Sequence, residues 1–139
     1  MSVSRQDTVH IEAPASEILA ILLDPAALPE WNPAFSEVFA EGTATVGKPN
    51  PIRVRGLLRG ALVYDRISDS EVAITIRIPG LTEQGTWQLA RSGGGTTVTH
   101  AFTQSGMLAQ LLESATRDVA SLRVNRLRAR VANPRAVIS

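Results

Sequence analysis

GMLAQLLESATRDVASLRVNRLRARV, Gly106–Val131, is the stretch whose reading decides the fold. Apolar residues recur at Met107, Leu108, Leu111, Leu112, Ala115, Val119 and Leu122, and Leu127 and Val131 close the run. That spacing predicts one helix of about seven turns with a buried stripe. The chain before it reads as strands and turns along most of its length. A single long helix in a β-rich chain hides its stripe by lying against a curved antiparallel sheet. Such a pairing tends to leave space between helix and sheet, and that space is where function is expected.

Working outward, Thr8–Glu12 alternates, with Val9 and Ile11 on one face and His10 and Glu12 on the other, and reads as a first strand. Pro14 suits the first turn of a helix, whose buried stripe is Ile18, Leu19, Leu22 and Leu23. Asp24-Pro25 stops that helix and starts a second, very short one reaching Leu28 or Glu30. Trp31-Asn32-Pro33 forms a rigid corner. Six further strands follow: Phe35–Glu41, Ile52–Gly56, Leu57–Ile67, Val72–Ile78, Leu81–Ala90 and Thr96–Ser105. The facing of Leu57–Ile67 stays open, because Leu58, Leu62 and Tyr64 lie on one face while Ala61, Val63 and Ile67 lie on the other. Ser92-Gly93-Gly94-Gly95 is a hairpin turn, and the tail after Asn133-Pro134 is expected to be loose.

The length of 139 residues suits a single domain over 1–139, its core at about 8–130. The absence of cysteine excludes disulfides, thiolate nucleophiles and thiolate metal sites. The polar start Met1–Asp7 lacks the apolar centre of a signal peptide, and no run approaches a membrane span, so a cytoplasmic location is the expectation. Net charge is +1 but unevenly placed: from residue 117 onward six arginines face the single acid Asp118, leaving eight basic and twelve acidic groups before it. Arg123, Arg126 and Arg130 are spaced for one helical face, which keeps nucleic acid as the weakest option, since no aromatic residues interleave them. Favourable charges near a helix C-terminus are the plainer reading.

Ile11-Glu12-Ala13-Pro14-Ala15-Ser16-Glu17-Ile18, Leu22-Leu23-Asp24-Pro25 and Leu28-Pro29-Glu30-Trp31-Asn32-Pro33 together resemble the opening of the START-like superfamily. The group is also called Bet v 1-like or SRPBCC, and includes the polyketide cyclase/dehydrase and lipid transport family. Gly94–His100 and the following Gly106 resemble its last hairpin strand and the entry to its C-terminal helix. The resemblance implies an α+β helix-grip fold: a seven-stranded antiparallel sheet wrapped around a long C-terminal helix, with two short helices after the first strand. It further implies an apolar small molecule held between sheet and helix. Members include aromatase/cyclases, dehydratases, lipid and hormone carriers and Hsp90 co-chaperones, so the fold narrows the chemistry only a little.

On that scheme the sheet side of the ligand cavity comprises Val54, Leu62, Ile74, Ile76, Trp87, Val98 and Phe102, with Tyr64 and His100 as its polar members. The helix side comprises Leu108, Leu111, Leu112, Ala115, Val119 and Leu122. The same residues could equally fill a solid core. His100, in register with Val98 and Phe102, is a candidate proton donor or acceptor or else a core histidine satisfied by a hydroxyl or carbonyl. Tyr64 either polarises a ligand carbonyl or finds a buried partner. Trp31 and Asn32 either line the entrance or pack and fix the corner.

Acids do not converge in this reading. Asp24 serves as a cap, Asp65 has ambiguous facing, and Asp69 and Glu71 fall in a turn. Two distant histidines make no metal site, Ser68, Ser92 and Ser105 sit in no nucleophile elbow, and Gly93–Gly95 precedes no phosphate-binding helix. No cofactor is expected. The expected function is binding of a lipid-, aromatic- or polyketide-like molecule, with cyclase or dehydratase activity through His100 and Tyr64 left open. The alternative is a non-catalytic carrier, sensor or protein-partner module, in which a partner protein or a second copy is accommodated.

Overall fold

The computed structural model describes residues 2–133. Seven strands form one antiparallel sheet in the order β1-β7-β6-β5-β4-β3-β2. They are β1 Ser2–Ile11, β2 Glu37–Val38, β3 Asn50–Val54, β4 Leu58–Ile67, β5 Glu71–Ile78, β6 Leu81–Ser92 and β7 Gly95–Ser105. Helix α1, Ala15–Leu22, and a 3-10 turn, Pro25–Glu30, follow β1. After β7 come α2 Met107–Leu111, a 3-10 turn Ser114–Thr116, and α3 Val119–Ala132. The element order matches the sequence reading, and the C-terminal tail named there lies outside the described residues.

Three boundaries differ from the spacing-based expectation, each for a physical reason. Strand β1 starts six residues early because it pairs with β7 along its whole length, from Ser2↔Ser105 to Ile11↔Thr96. Its outer face is polar, and Ser4–Thr103 and Thr8–Thr99 hydroxyl bonds of 2.9 and 3.1 Å tie the two strands there. Strand β2 shrinks to two residues. Phe39 donates its N–H to the Pro51 carbonyl across the pair, and proline has no N–H to return, so the ladder ends. At the other end Phe35 turns inward, its N–H on the Asn32 carbonyl, and is buried.

The largest difference is in the C-terminal helix, which is interrupted between Leu112 and Asp118 rather than continuous over Gly106–Val131. Ser, Thr and Asp side chains compete for backbone groups and weaken helix interiors. Here Thr116 turns its hydroxyl back onto the Glu113 carbonyl at 3.1 Å, and its N–H is shared between the Leu112 and Glu113 carbonyls. The break changes the phase of the helix, so the buried positions of α3 are Ala120, Arg123, Val124 and Leu127. That is an i, i+3, i+4, i+7 stripe, but it is not the Val119–Leu122 stripe of the sequence reading.

The ambiguous facing of β4 is resolved by a bulge. Tyr64 pairs with Ile74 but Arg66 pairs with Ala73, leaving Asp65 as the extra residue. Before the bulge Leu62 and Tyr64 point inward; after it Ile67, opposite the fully buried Val72, does. Both faces therefore look apolar in the sequence although only one is buried. Beneath the sheet the core gathers Ile18, Leu22, Leu28, Trp31, Phe35, Leu62, Tyr64, Val98, Val124 and Leu127 at the end covered by α1 and the Pro25–Glu30 turn. The opposite end, near the β5–β6 turn and α2, is less filled.

Candidate functional site

Strands β6 and β7 carry the site because their inward faces combine apolar and polar residues in register. Inward on β6 are Leu81, Glu83, Gly85, Trp87 and Leu89; inward on β7 are Val98, His100, Phe102 and Gln104. Glu83 sits opposite Gln104 and Trp87 opposite His100. Helix α3 lowers Arg123 onto this surface. The result is a buried polar cluster in which Glu83 and Arg123 are each only 4% exposed.

Its geometry is tightly specified. Arg123 grips the Glu83 carboxylate with two N–H groups, Nη1 to Oε2 at 2.8 Å and Nη2 to Oε1 at 3.0 Å, the bidentate arrangement that guanidinium favours. Gln104 Nε2 adds a third donor to Glu83 Oε1 at 2.8 Å. Burial by itself would raise the Glu83 pKa, but the charge and hydrogen bonds of Arg123, with the Gln104 bond, outweigh it and hold it below the usual carboxylate value. The Arg123 guanidinium also lies 4.6 Å from the Phe102 ring centre.

His100 completes the cluster from the other side. Its Nδ1 lies 3.0 Å from the Thr86 carbonyl, which can only accept, so Nδ1 carries the proton. Its Nε2 then accepts from Arg123 Nη1 at 3.2 Å. The imidazole stacks on Trp87 at 3.8 Å, and Trp87 meets Trp31 edge-on at 5.6 Å. Burial first, then the Arg123 charge, push the His100 pKa down to about 3. The ring is neutral at pH 7 with its lone pair engaged by Arg123.

Two cavities meet at this cluster. An outer cleft of about 270 Å³ lies between the sheet and the C-terminal helical segment. Val54, Ile76, Ile78 and Leu81 wall it from the sheet, and Leu112, Thr116, Val119 and Leu122 from the helical side. Glu83, Gln104 and Arg123 form its polar end. An inner cavity of about 20 Å³, bounded by Asn32, Ile74, Trp87 and His100 among others, lies on the other side. That volume suits about one water molecule. Ile76, Glu83 and Arg123 border both, so the ion pair stands in the partition.

Of the residues picked out from the sequence, Val54, Ile76, Leu112, Val119 and Leu122 line the cleft, while Ile74, Trp87 and His100 line the inner cavity. Trp31, Leu62, Val98 and Phe102 are packed in the interior and line neither. Leu111 is 75% exposed and Ala115 is exposed, and Leu108 packs on Gly80 instead of into the cleft. Tyr64 also lines neither cavity. Its buried hydroxyl donates to the Leu22 carbonyl at 2.7 Å, and burial, then the Asp24 charge, push its pKa up. It ties the sheet to the end of α1. Tyr64→Phe is accordingly expected to cost about 1–2 kcal/mol through the unpaired carbonyl, read from urea unfolding, and to leave ligand affinity unchanged.

Asn32 accepts the Ala34 N–H at 2.9 Å and so fixes the corner, while Asn32 also faces the inner cavity. His10 is on the outer face, bonded to Glu12 at 2.9 Å. The arginines do not form one polyanion-binding face: Arg123 is buried on Glu83, and Arg130 reaches Glu30 at 2.9 Å. Among the described residues no group of three or more His, Asp or Glu side chains could hold a metal ion, and no helix is long and apolar enough to cross a membrane. Glu83, Gln104 and Arg123 are not among the site residues that the sequence reading names, although all three share their element's buried periodicity.

A family profile described as polyketide cyclase/dehydrase and lipid transport matches residues 2–133. A search of curated proteins returned no significant match. Among solved structures, truncated norcoclaurine synthase from Thalictrum flavum superposes with a TM-score of 0.72 at 10% identity, covering 96% of this chain and 95% of that one. A START superfamily protein from Mycobacterium smegmatis gives 0.69 at 16% identity, covering 94% and 98%. A protein of the dynemicin biosynthetic locus gives 0.68 at 17% identity and covers 94% of this chain, which spans only 48% of that relative's length. At these identities the likeness establishes a common helix-grip fold.

Proposed function

The chain belongs to the polyketide cyclase/dehydrase and lipid transport family, and on that premise we propose that it binds an apolar small molecule in the cleft between its sheet and its C-terminal helix, as a carrier or sensor. The observation that carries this reading is the cleft itself, about 270 Å³ with mostly aliphatic walls and one buried polar end. That is the composition of a small-molecule site: apolar surface for affinity and a few polar groups for orientation. The non-catalytic role is favoured by the state of the two proton-transfer candidates. The His100 lone pair and the Tyr64 hydroxyl are both spent on protein partners, so neither is available to a ligand without breaking a buried bond.

Val119 provides the test, because it lines the cleft from the first turn of α3 and is only half-buried. In Val119→Trp the added ring should occupy the cleft and weaken binding of the fluorescent probe 1-aminoanthracene at least about tenfold, which is about 1.4 kcal/mol. Thermal stability should change little, since the space is already there. Native mass spectrometry of gently purified protein, followed by organic extraction, identifies any resident compound. Wild-type protein that neither carries an apolar compound nor takes up the probe would sink this reading.

A further inference from the structure

The deep end of the cleft is polar but closed. Both Glu83 oxygens are engaged by Arg123, one of them by Gln104 as well, and the charges of the pair cancel. The polar atoms left over there, Gln104 Oε1 and Arg123 Nε, have essentially no accessible surface. A ligand's head group therefore finds no open partner at that end. The walls between it and solvent are mostly aliphatic, so an amphiphile gains most by entering tail first and leaving its head at the mouth.

The mouth carries a charge that nothing neutralises. Arg55, on the β3–β4 hairpin, lines the cleft, is exposed, and makes no hydrogen bond or ion pair with any described residue. The exposed acids of the helical side, Glu113 and Asp118, do not line the cleft. Arg55 also stands where arginine is a poor choice for the backbone. Its φ is +55°, Gly56 follows at +73°, and among the described residues no other non-glycine residue has a positive φ. The Leu57 N–H closes this turn on the Val54 carbonyl at 3.3 Å. Two left-handed central residues make the turn for which Asn-Gly is the favoured pair. Strain of this kind gathers at ligand-contacting positions, and here it holds a guanidinium at the cleft.

We infer that Arg55 reads the head group of the ligand, which is an anionic amphiphile: an aliphatic tail between sheet and helix, and a carboxylate at the mouth. A single unpaired guanidinium matches one negative charge better than the two of a phosphomonoester. This assignment rests on the proposed binding function and adds the class and orientation of the ligand to it.

Octanoate, 1-octanol and octylammonium share one tail, and calorimetric titration compares them on the wild type and on Arg55→Asn. The ratio of octanoate to octanol affinity is expected to fall about fivefold in the variant, the upper range for an ion pair open to water. Octanol affinity should change less than about twofold, and the melting temperature should hold or rise, since Asn suits the turn. In the wild type octanoate should bind more tightly than octylammonium, an order that stands without the variant. A ratio unmoved by the substitution, or tighter binding of octylammonium, would overturn the assignment and leave the cleft reading intact. Failure of all three to bind or to displace 1-aminoanthracene would overturn both.

Discussion

Arg123→Met is expected to lower the stability of the protein by about 3–5 kcal/mol, the usual cost of removing one partner from a buried ion pair. The reason is what stays behind. Glu83 is 4% exposed and its charge is maintained against desolvation mainly by Arg123. Without the guanidinium the carboxylate keeps one donor, Gln104 Nε2, and His100 Nε2 loses its donor as well. Glu83 then relieves the strain by taking a proton, so the deficit should shrink as pH falls toward the range where carboxylic acids are neutral. Glu83→Leu with Arg123→Met removes both charges, and should recover most of the loss, because an apolar pair of similar volume is often neutral or better. Urea unfolding of the two single variants and the double variant closes the cycle. A cost below about 1 kcal/mol for Arg123→Met, the value of an exposed pair, would show that water reaches the cluster and that the cleft's polar end is not dry.

How much of this was legible beforehand depends on what each residue type suggests by itself. The succession of strands along the chain and the two short helices follow from period-two alternation and from Pro and Gly punctuation. The polar cluster was hidden by residue identity. Glu83 stands in strict alternation with Leu81, Gly85, Trp87 and Leu89, but a glutamate is nearly always exposed unless paired, and its partner lies forty residues away on another element. Arg123 is grouped with the arginines around it, although it falls one turn from Ala120 and Leu127 and beside Val124 on the buried stripe. Gln104 continues the Val98, His100, Phe102 face by one more step. The phase of α3 was misread for a different reason. A uniform period drawn from Met107 runs straight through Glu113–Asp118, where local hydroxyl and backbone bonds interrupt the helix, and any break of a few residues rotates the stripe that follows. A buried ionisable group on an otherwise apolar face is the signal worth following in such chains, because burial of that kind demands a partner.

Acid should destabilise the protein well above the range where carboxylates titrate, and His100 is the cause. Its pKa falls from 6.5 to about 3 in the folded protein. Between those values the unfolded chain holds a proton that the folded chain refuses, so stability rises with pH across the window and is fully present above about 6.5. Lowering the pH through it should therefore cost about 1.4 kcal/mol per unit, reaching about 5 kcal/mol near pH 3. Glu83 acts in the same sense but lower down: its folded pKa lies below 4.5, so its contribution is lost only as pH falls beneath that value. The two are separable by working between pH 7.5 and 4.5, where His100 alone of the pair titrates and the expected loss is about 3 kcal/mol. His100→Phe keeps a ring to stack on Trp87 and removes the proton. Its starting stability should be lower, since Arg123 and the Thr86 carbonyl each lose a bond, but its stability should be nearly flat over that interval. The slope, rather than the level, carries the argument. A variant as acid-sensitive as the parent would mean that His100 is reached by water and protonated in the folded state, which would also restore it as a candidate base facing the inner cavity.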